Sequence, residues 1–265
     1  MNQLVALGGA MRYEFLMQAR RVSAWVACAL LAALNIAIVN ANVAPRDVNL
    51  PANVTRYNLV LNLTGSFAYL LTLGAGLLLA GRYRRDFTLK VDEMLQTTPA
   101  SGATRLLGKY LGGVLATLMP LGVSYFAGVA VLVARWHDVG ILPLTLASFA
   151  LRVVPPVLFV AAFSIACTTV LWPPLFQFIF VGFMLWITLD PAGPIPTLDG
   201  TVLSPLERLV DTGIFHFAPF RTGDLSYYPR ATVWLGIANI AALLGVGLLA
   251  LAAAWRIDLW RVGRR

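Results

Sequence analysis

Few residues in this sequence have the chemistry of a catalytic or metal site. The two histidines, His137 and His216, fall in polar loops, and neither has another ligand at metal-binding spacing. Neither lies near a serine that it could activate, such as Ser66 or Ser124. The sequence also lacks a GxxxxGK[ST] loop for nucleotide phosphates. We therefore predict no catalytic residue, no metal site and no cofactor in this chain.

The composition is that of an integral membrane protein. Hydrophobic residues make up 59% of the 265 positions, and charged residues make up 12%, about half of the share usual in soluble domains. The two cysteines, Cys28 and Cys167, lie inside apolar runs and indicate neither a disulfide nor a metal site. The formal charge of +8 reflects the preference of Lys and Arg for cytoplasmic loops, so we expect no nucleic-acid partner.

Six apolar runs are long enough to cross a lipid bilayer as helices. They cover residues 22–39, 59–81, 106–134, 153–171, 175–189 and 231–255. We therefore predict an all-α integral membrane protein with six transmembrane helices, which form a single transmembrane domain over residues 1–265.

Three segments outside these spans need their own interpretation. Residues 3–21 are amphipathic and predict an N-terminal interfacial helix, or else a plain cytoplasmic extension of the first span. Residues 190–230 are rich in Pro, Gly and charge and predict an outer re-entrant or interfacial segment. Residues 141–152 form either a separate outer helix or part of one long helix that breaks near the following prolines. We favour the separate helix, because it lets Arg152 extend its head group to water.

Residues 82–109 form the longest charge-rich interval between apolar runs and hold six of the 20 Lys and Arg residues. Asp86 is a predicted N-cap, and apolar residues follow it at helical spacing. These apolar residues are Phe87, Val91, Met94 and Leu95. Pro99 ends the helix, because the residue before a proline is disfavoured in the helical conformation. Beyond it, Gly108 and Gly112 have the GxxxG spacing that permits close helix contact.

The distribution of Lys and Arg predicts the orientation. Thirteen lie in the N-terminal segment, the 82–109 interval and the C-terminal tail, and six lie in the loops of the opposite side. Because cytoplasmic loops carry the excess of positive charge, we predict that both termini are cytoplasmic. We place the chain in the cell inner (plasma) membrane as a multi-pass protein.

This arrangement resembles the permease subunit of the type 2 ATP-binding cassette (ABC-2 type) exporters. Residues 86–115, DFTLKVDEMLQTTPASGATRLLGKYLGGVL, look like that family's acidic helix, Thr-Pro break and Gly-Lys opening of the third span. The resemblance implies a separate ATPase subunit that binds ATP and Mg, and a second permease copy or paralogue in a dimer. It also implies an export path between the two permeases.

The resemblance further implies that the helix between spans two and three is a coupling helix seated in the ATPase. Its buried contact would be Phe87, Val91, Met94 and Leu95, and its rim would be Lys90, Asp92 and Glu93. The alternative is a solvated loop whose apolar side rests on lipid headgroups.

In that family, spans two and five line the export path. The second span has a polar stripe at helical spacing, and the fifth has an aromatic stripe with a glutamine beside it. The polar stripe is Asn62, Ser66 and Tyr69, and the aromatic stripe is Phe176, Phe180 and Phe183, with Gln177. These stripes would suit an amphipathic or apolar substrate. The alternative is ordinary packing against neighbouring helices.

Three functions remain open from the residues alone. The first is the permease subunit of an ATP-driven exporter, and the second is a non-transporting membrane anchor or assembly subunit that docks a soluble complex. The third is a stand-alone carrier, which is disfavoured because no Asp or Glu falls inside any predicted span.

Overall fold

The computed structural model describes residues 3–22, 25–26, 29–30, 32–34, 36–37, 52–80, 101–188, 198, 200–206, 208–217 and 231–262. Within these ranges the regular secondary structure is helical and no strand occurs, as predicted for an all-α protein. Four helices in the described part of the chain are long and apolar enough to cross a bilayer, as in a multi-pass membrane protein. They span Arg56–Ala80, Gly102–Trp136, Val139–Val170 and Val233–Ile257.

The helices are numbered along the chain. They are α1 Gln3–Ala19, α2 Ala52–Ala80, α3 Gly102–Trp136, α4 Leu142–Ser148, α5 Val154–Val170, α6 Pro173–Ile187, α7 Arg208–Gly213 and α8 Val233–Val262. A 3₁₀ turn at Val139–Ile141 precedes α4, and a π-helical turn at Phe149–Val153 joins α4 to α5.

Two predicted spans are not seen as full membrane-crossing helices. The fifth corresponds to α6, whose 15 residues give a length of about 22 Å, less than the roughly 30 Å of the hydrocarbon core. The first, at residues 22–39, lies partly outside the described residues, and its described positions are helical. The six-span topology therefore stays a prediction.

The path from Val139 to Val170 is helical without interruption. Pro155 and Pro156 occupy the first positions of α5 and have no N–H groups to donate to the preceding turn. The backbone before them widens into the π-helical turn. The structure thus favours the alternative of one long helix that is deformed near the prolines, rather than a separate outer helix.

The N-terminal helix α1 packs along the first half of α3. A Cβ atom added at Gly108 would lie 2.6 Å from the Ala10 Cβ, and one added at Gly112 would lie 2.6 Å from the Met11 carbonyl oxygen. The predicted close helix contact at these two glycines is confirmed, and α1 is the partner. The buried side of α1 includes Glu14, whose Oε1 accepts a hydrogen bond of 2.7 Å from the Gln18 side chain. Its predicted position at the membrane interface stays a prediction.

The two ends of the bundle are defined by contacts between distant residues. At one end, here called the Asp138 end, Arg56 near the start of α2 forms a 3.1 Å ion pair with Asp138 just beyond α3. At the other, the Ser101 end, Leu251 and Ala254 of α8 share a buried cluster with Leu106 near the start of α3. The N-terminal helix, the start of α3 and the C-terminal part of α8 therefore lie at the same end.

Candidate functional site

A buried ion pair joins the long Val139–Val170 helix to the short helix α7. The Nε of Arg152 lies 2.6 Å from Oδ1 of Asp211, and its Nη2 donates a 2.8 Å hydrogen bond to Oδ2. Its Nη1 donates to the Leu61 carbonyl oxygen of α2 at 2.6 Å. Arg152 is only 1% exposed, so the prediction that its head group reaches water is wrong. The guanidinium group remains buried because a carboxylate of α7 neutralises it.

The local sequence makes room for this arginine. Arg152 lies within the π-helical turn that precedes Pro155 and Pro156. On α2, a Cβ atom at Gly65 would lie 2.6 Å from Arg152 Nη2, so a larger residue here would displace the guanidinium group from its position. The glycine and the deformed turn together allow the guanidinium group to enter between α2 and α7.

The electrostatic environment of Asp211 combines burial with two positive groups. Burial raises the pKa of the Asp211 carboxyl to about 6, while the guanidinium groups of Arg152 and Arg208 act in the opposite direction. The Arg152 guanidinium group keeps its proton at neutral pH, and its nitrogens lie within 2.8 Å of both Asp211 carboxylate oxygens, so the contact is an ion pair.

Two tyrosines add hydrogen bonds around the ion pair. The Tyr125 hydroxyl lies 2.9 Å from the Thr64 hydroxyl and donates to the Thr145 carbonyl oxygen at 3.2 Å. The Tyr57 hydroxyl donates to the Phe215 carbonyl oxygen at 2.5 Å. These bonds link α2 to α3 and to the segment after α7, and they link α3 to α4.

A cavity of about 220 Å³ lies beside the ion pair. Its polar lining consists of Asn62, Tyr69, Arg152, Thr188, Arg208 and Asp211. Its apolar lining consists of Gly65, Leu206 and Phe217. Asn62 and Tyr69, two members of the predicted polar stripe of span two, therefore line this cavity. The charged residues of the lining come from the Val139–Val170 helix and from α7.

The remaining residues of the predicted substrate path have different surroundings. Phe176 and Phe180 are buried, and a Cβ atom at Gly76 of α2 would overlap the Phe180 ring. Phe183 is half-buried and packs its ring 6.0 Å from that of Trp186.

Gln177 of the same path donates a 3.1 Å hydrogen bond to the Leu77 carbonyl oxygen. Ser66 lies in α2, and its side chain is outside the described residues. Within the single chain, Phe176 and Phe180 pack against neighbouring helices, which is the role that the alternative interpretation gives them. A role in lining a path stays a prediction.

The predicted coupling residues lie outside the described residues. These are Phe87, Lys90, Val91, Asp92, Glu93, Met94 and Leu95. The described helices on either side show where that segment is attached, because α2 ends at Ala80 and α3 begins at Gly102. Ser101 caps α3 by accepting a 3.2 Å hydrogen bond from the Thr104 backbone N–H.

Neither histidine belongs to a metal site in the described part of the chain, where no group of three metal-ligating residues occurs. His137 ends α3 in the left-handed conformation, with a φ of 49°, and His216 has a φ of 48°. Both histidines thus adopt the left-handed backbone conformation just after a helix.

Sequence reasoning missed the pairing of Arg152 with Asp211. The available signal was the arginine itself, because a charged residue within an apolar run needs a partner. The segment at residues 190–230 offers several carboxylates, and the sequence does not indicate which one pairs with the arginine. The selection depends on where α7 packs.

No protein-family model matches this chain, and no curated protein does so either. The function is therefore inferred from the residues and their arrangement.

Proposed function

We propose that this chain is the permease subunit of an ATP-driven exporter of the type 2 ATP-binding cassette class. It would move an amphipathic or apolar substrate out of the cytoplasm, with energy from a separate ATPase subunit that binds ATP and Mg. A second permease copy or paralogue would complete the membrane part of the complex. Both termini would face the cytoplasm.

The observation that carries the proposal is the attachment of the 82–109 interval. Its flanking helices, α2 and α3, are both long enough to cross a membrane. At the Ser101 end, α3 is held by α1 through Gly108 and Gly112. A soluble partner that binds residues 87–98 would therefore act directly on the ends of two packed helices.

The same two helices reach the polar region at the Asp138 end. Asn62 and Tyr69 of α2 line the cavity, and Tyr125 of α3 lies beside Thr64. Movement of the 82–109 interval could thus change the cavity, provided that the bundle has two arrangements with different affinities for the substrate. The ATPase would set the direction by favouring each arrangement in turn.

The first experiment tests whether residues 91–93 recruit an ATPase. A tagged chain that carries Val91→Asp, Asp92→Lys and Glu93→Lys is purified from native membranes beside the wild type. We expect an ATP-binding cassette ATPase to co-purify with the wild type. The amount that co-purifies with the variant should be at least about tenfold lower, because removal of a central interface contact costs about 1.4 kcal/mol or more. ATP hydrolysis by the purified complex is measured in parallel.

Val139→Asp is the matched control, since Val139 is 63% exposed at the opposite end of α3. This control should keep the ATPase. Retention of the ATPase and its hydrolysis by the triple variant would contradict the coupling assignment. Recovery of a different soluble complex, without ATP-dependent transport in proteoliposomes, would support the membrane-anchor function instead.

A further inference from the structure

A groove between α1 and α3 lies at the Ser101 end of the bundle, on the exposed side of their contact. Its volume is about 580 Å³, and its described lining is Met11, Arg12, Phe15, Leu115, Leu118 and Met119. All of these residues except Arg12 are apolar. We propose that this α1–α3 groove binds a phospholipid with a net negative head group. The phosphate contacts Arg12, and an acyl chain lies against the apolar lining.

The charges of α1 favour an anion at this position. Glu14 is the only acidic residue of α1, and it is buried facing Gly112, where its carboxylate accepts the hydrogen bond from Gln18. Arg12 is exposed, and none of the described carboxylates forms an ion pair with it. A phosphate at Arg12 therefore gains a charge-assisted hydrogen bond without displacing a carboxylate of the protein.

The position of Arg12 along the bundle matches the level of lipid head groups. The neighbouring Met11 meets α3 at Gly112, and α3 rises about 36 Å from Gly112 to Trp136 at 1.5 Å per residue. Trp136 lies at the Asp138 end, with the Arg56 guanidinium group 5.7 Å from its ring, and tryptophans concentrate at the membrane interface. Since a bilayer has a hydrocarbon core of about 30 Å and a total thickness of about 40–45 Å, Arg12 falls within the head-group layer of the opposite leaflet.

The apolar lining suits an acyl chain that descends from this level. Leu115 and Met119 are 44% and 45% exposed, although α1 packs on the preceding turn of α3. The volume of the groove lies within the roughly 300–1,000 Å³ of small-molecule pockets and has room for a hydrocarbon chain. An arginine at such a boundary lays its methylene groups along apolar surface and keeps its charge at the head groups. A phospholipid in the groove therefore contacts both helices.

The test measures which lipid the purified chain retains. The tagged chain in a neutral maltoside detergent is mixed with equal amounts of a phosphatidylglycerol and a phosphatidylcholine that have the same acyl chains. Native mass spectrometry then records the ratio of the two bound lipids. We expect phosphatidylglycerol to exceed phosphatidylcholine about fivefold or more, as one arginine near a membrane surface contributes for an anionic lipid. Arg12→Gln should bring the ratio close to one.

Two control variants separate the groove from general effects of charge and size. Arg20→Gln removes an exposed arginine just after α1 that lies outside the lining, so it should leave the ratio unchanged. Leu115→Trp fills the groove from an exposed position and should cause loss of the bound phosphatidylglycerol. Val123→Trp adds the same side chain at a position of α3 that is 55% exposed and outside the lining, and it should retain the lipid.

Equal binding of the two lipids by the wild type would overturn the proposal. Equal losses in Arg12→Gln and Arg20→Gln, or in Leu115→Trp and Val123→Trp, would do the same. A dimer that Leu115→Trp dissociates, without any bound phospholipid in the wild type, would also overturn it and assign the groove to a second copy of the chain. The site requires only α1 and α3, so loss of the ATPase in the co-purification experiment would leave these lipid ratios unchanged.

Discussion

Arg152 shows how a charge can be retained within an apolar helix. Removal of a guanidinium group from water costs several kcal/mol, and only close contact with an opposite charge and further hydrogen bonds offsets this. Asp211 supplies the charge through two atom pairs, and the Leu61 carbonyl oxygen supplies the additional acceptor. The pair therefore fixes α7 against the Val139–Val170 helix.

This arrangement predicts unequal effects of its two single substitutions. Asp211→Leu should destabilise the protein by about 3–5 kcal/mol, because it leaves a buried guanidinium group that cannot lose its proton. Arg152→Met should destabilise it less, because the remaining Asp211 carboxyl, whose pKa burial already raises, can take up a proton. Thermal unfolding in detergent at pH 7 would give both values.

The double variant Arg152→Met, Asp211→Leu is the decisive control. Since it buries no charge, it should recover most of the stability lost in Asp211→Leu. Additive losses in the double variant would show that the two side chains do not act as a pair.

At the scale of the helices, the contact between α1 and α3 depends on the absence of side chains at two glycines. The Cβ atoms that a larger residue would place at Gly108 and Gly112 meet α1 at 2.6 Å, and at Gly112 the nearest atom belongs to the backbone. A backbone atom cannot move aside without moving the helix. By contrast, Gly74 of α2 has no atom within 4 Å of the corresponding position.

This difference predicts opposite results for the same substitution. Gly112→Ala should lower the stability by about 1–3 kcal/mol, because it forces α1 away from α3. Gly74→Ala should leave it unchanged or raise it by up to about 1 kcal/mol, because alanine has the higher helix propensity. Thermal unfolding of both variants in one detergent checks this, and equal effects would show that the α1 contact contributes little.

At the scale of the whole molecule, the contacts assign distant segments to the same end of the bundle. Gln3 accepts a 2.9 Å hydrogen bond from the Thr104 hydroxyl at the Ser101 end, while Arg56 and Asp138 meet at the other end. The length of α3, 35 residues or about 52 Å, keeps these ends apart by more than the thickness of a bilayer.

Cysteine labelling can test this separation. Leu4→Cys and Val139→Cys, both at exposed positions, are introduced singly into a chain in which Cys28 and Cys167 are replaced by serine. With a membrane-impermeant maleimide on intact cells, we expect label at Val139→Cys and none at Leu4→Cys until the membrane is opened. The reverse pattern would invert the predicted orientation but keep the fold, whereas label at both sites would contradict the separation of the two ends.

Several features were predictable because they depend on local composition and spacing. The all-helical class follows from the apolar runs, and the close contact at Gly108 and Gly112 follows from their GxxxG spacing. For Asn62 and Tyr69, helical periodicity was enough to place two residues that line the cavity on one side of α2.

The surroundings of Arg152 could not be predicted from the sequence and are determined by the tertiary structure. Sequence shows an arginine beside two prolines in an apolar run, which is compatible both with a head group in water and with a buried ion pair. The choice depends on Asp211, which lies 59 residues away and reaches Arg152 only because α7 packs against α8 and shares a buried cluster with Leu61 of α2. The sequence by itself thus indicated a helical membrane protein whose polar groups needed hydrogen-bond or ionic partners. Packing between segments far apart in sequence decided which partners they have, because neither the position of α7 nor the space beside Gly65 is a local property of the chain.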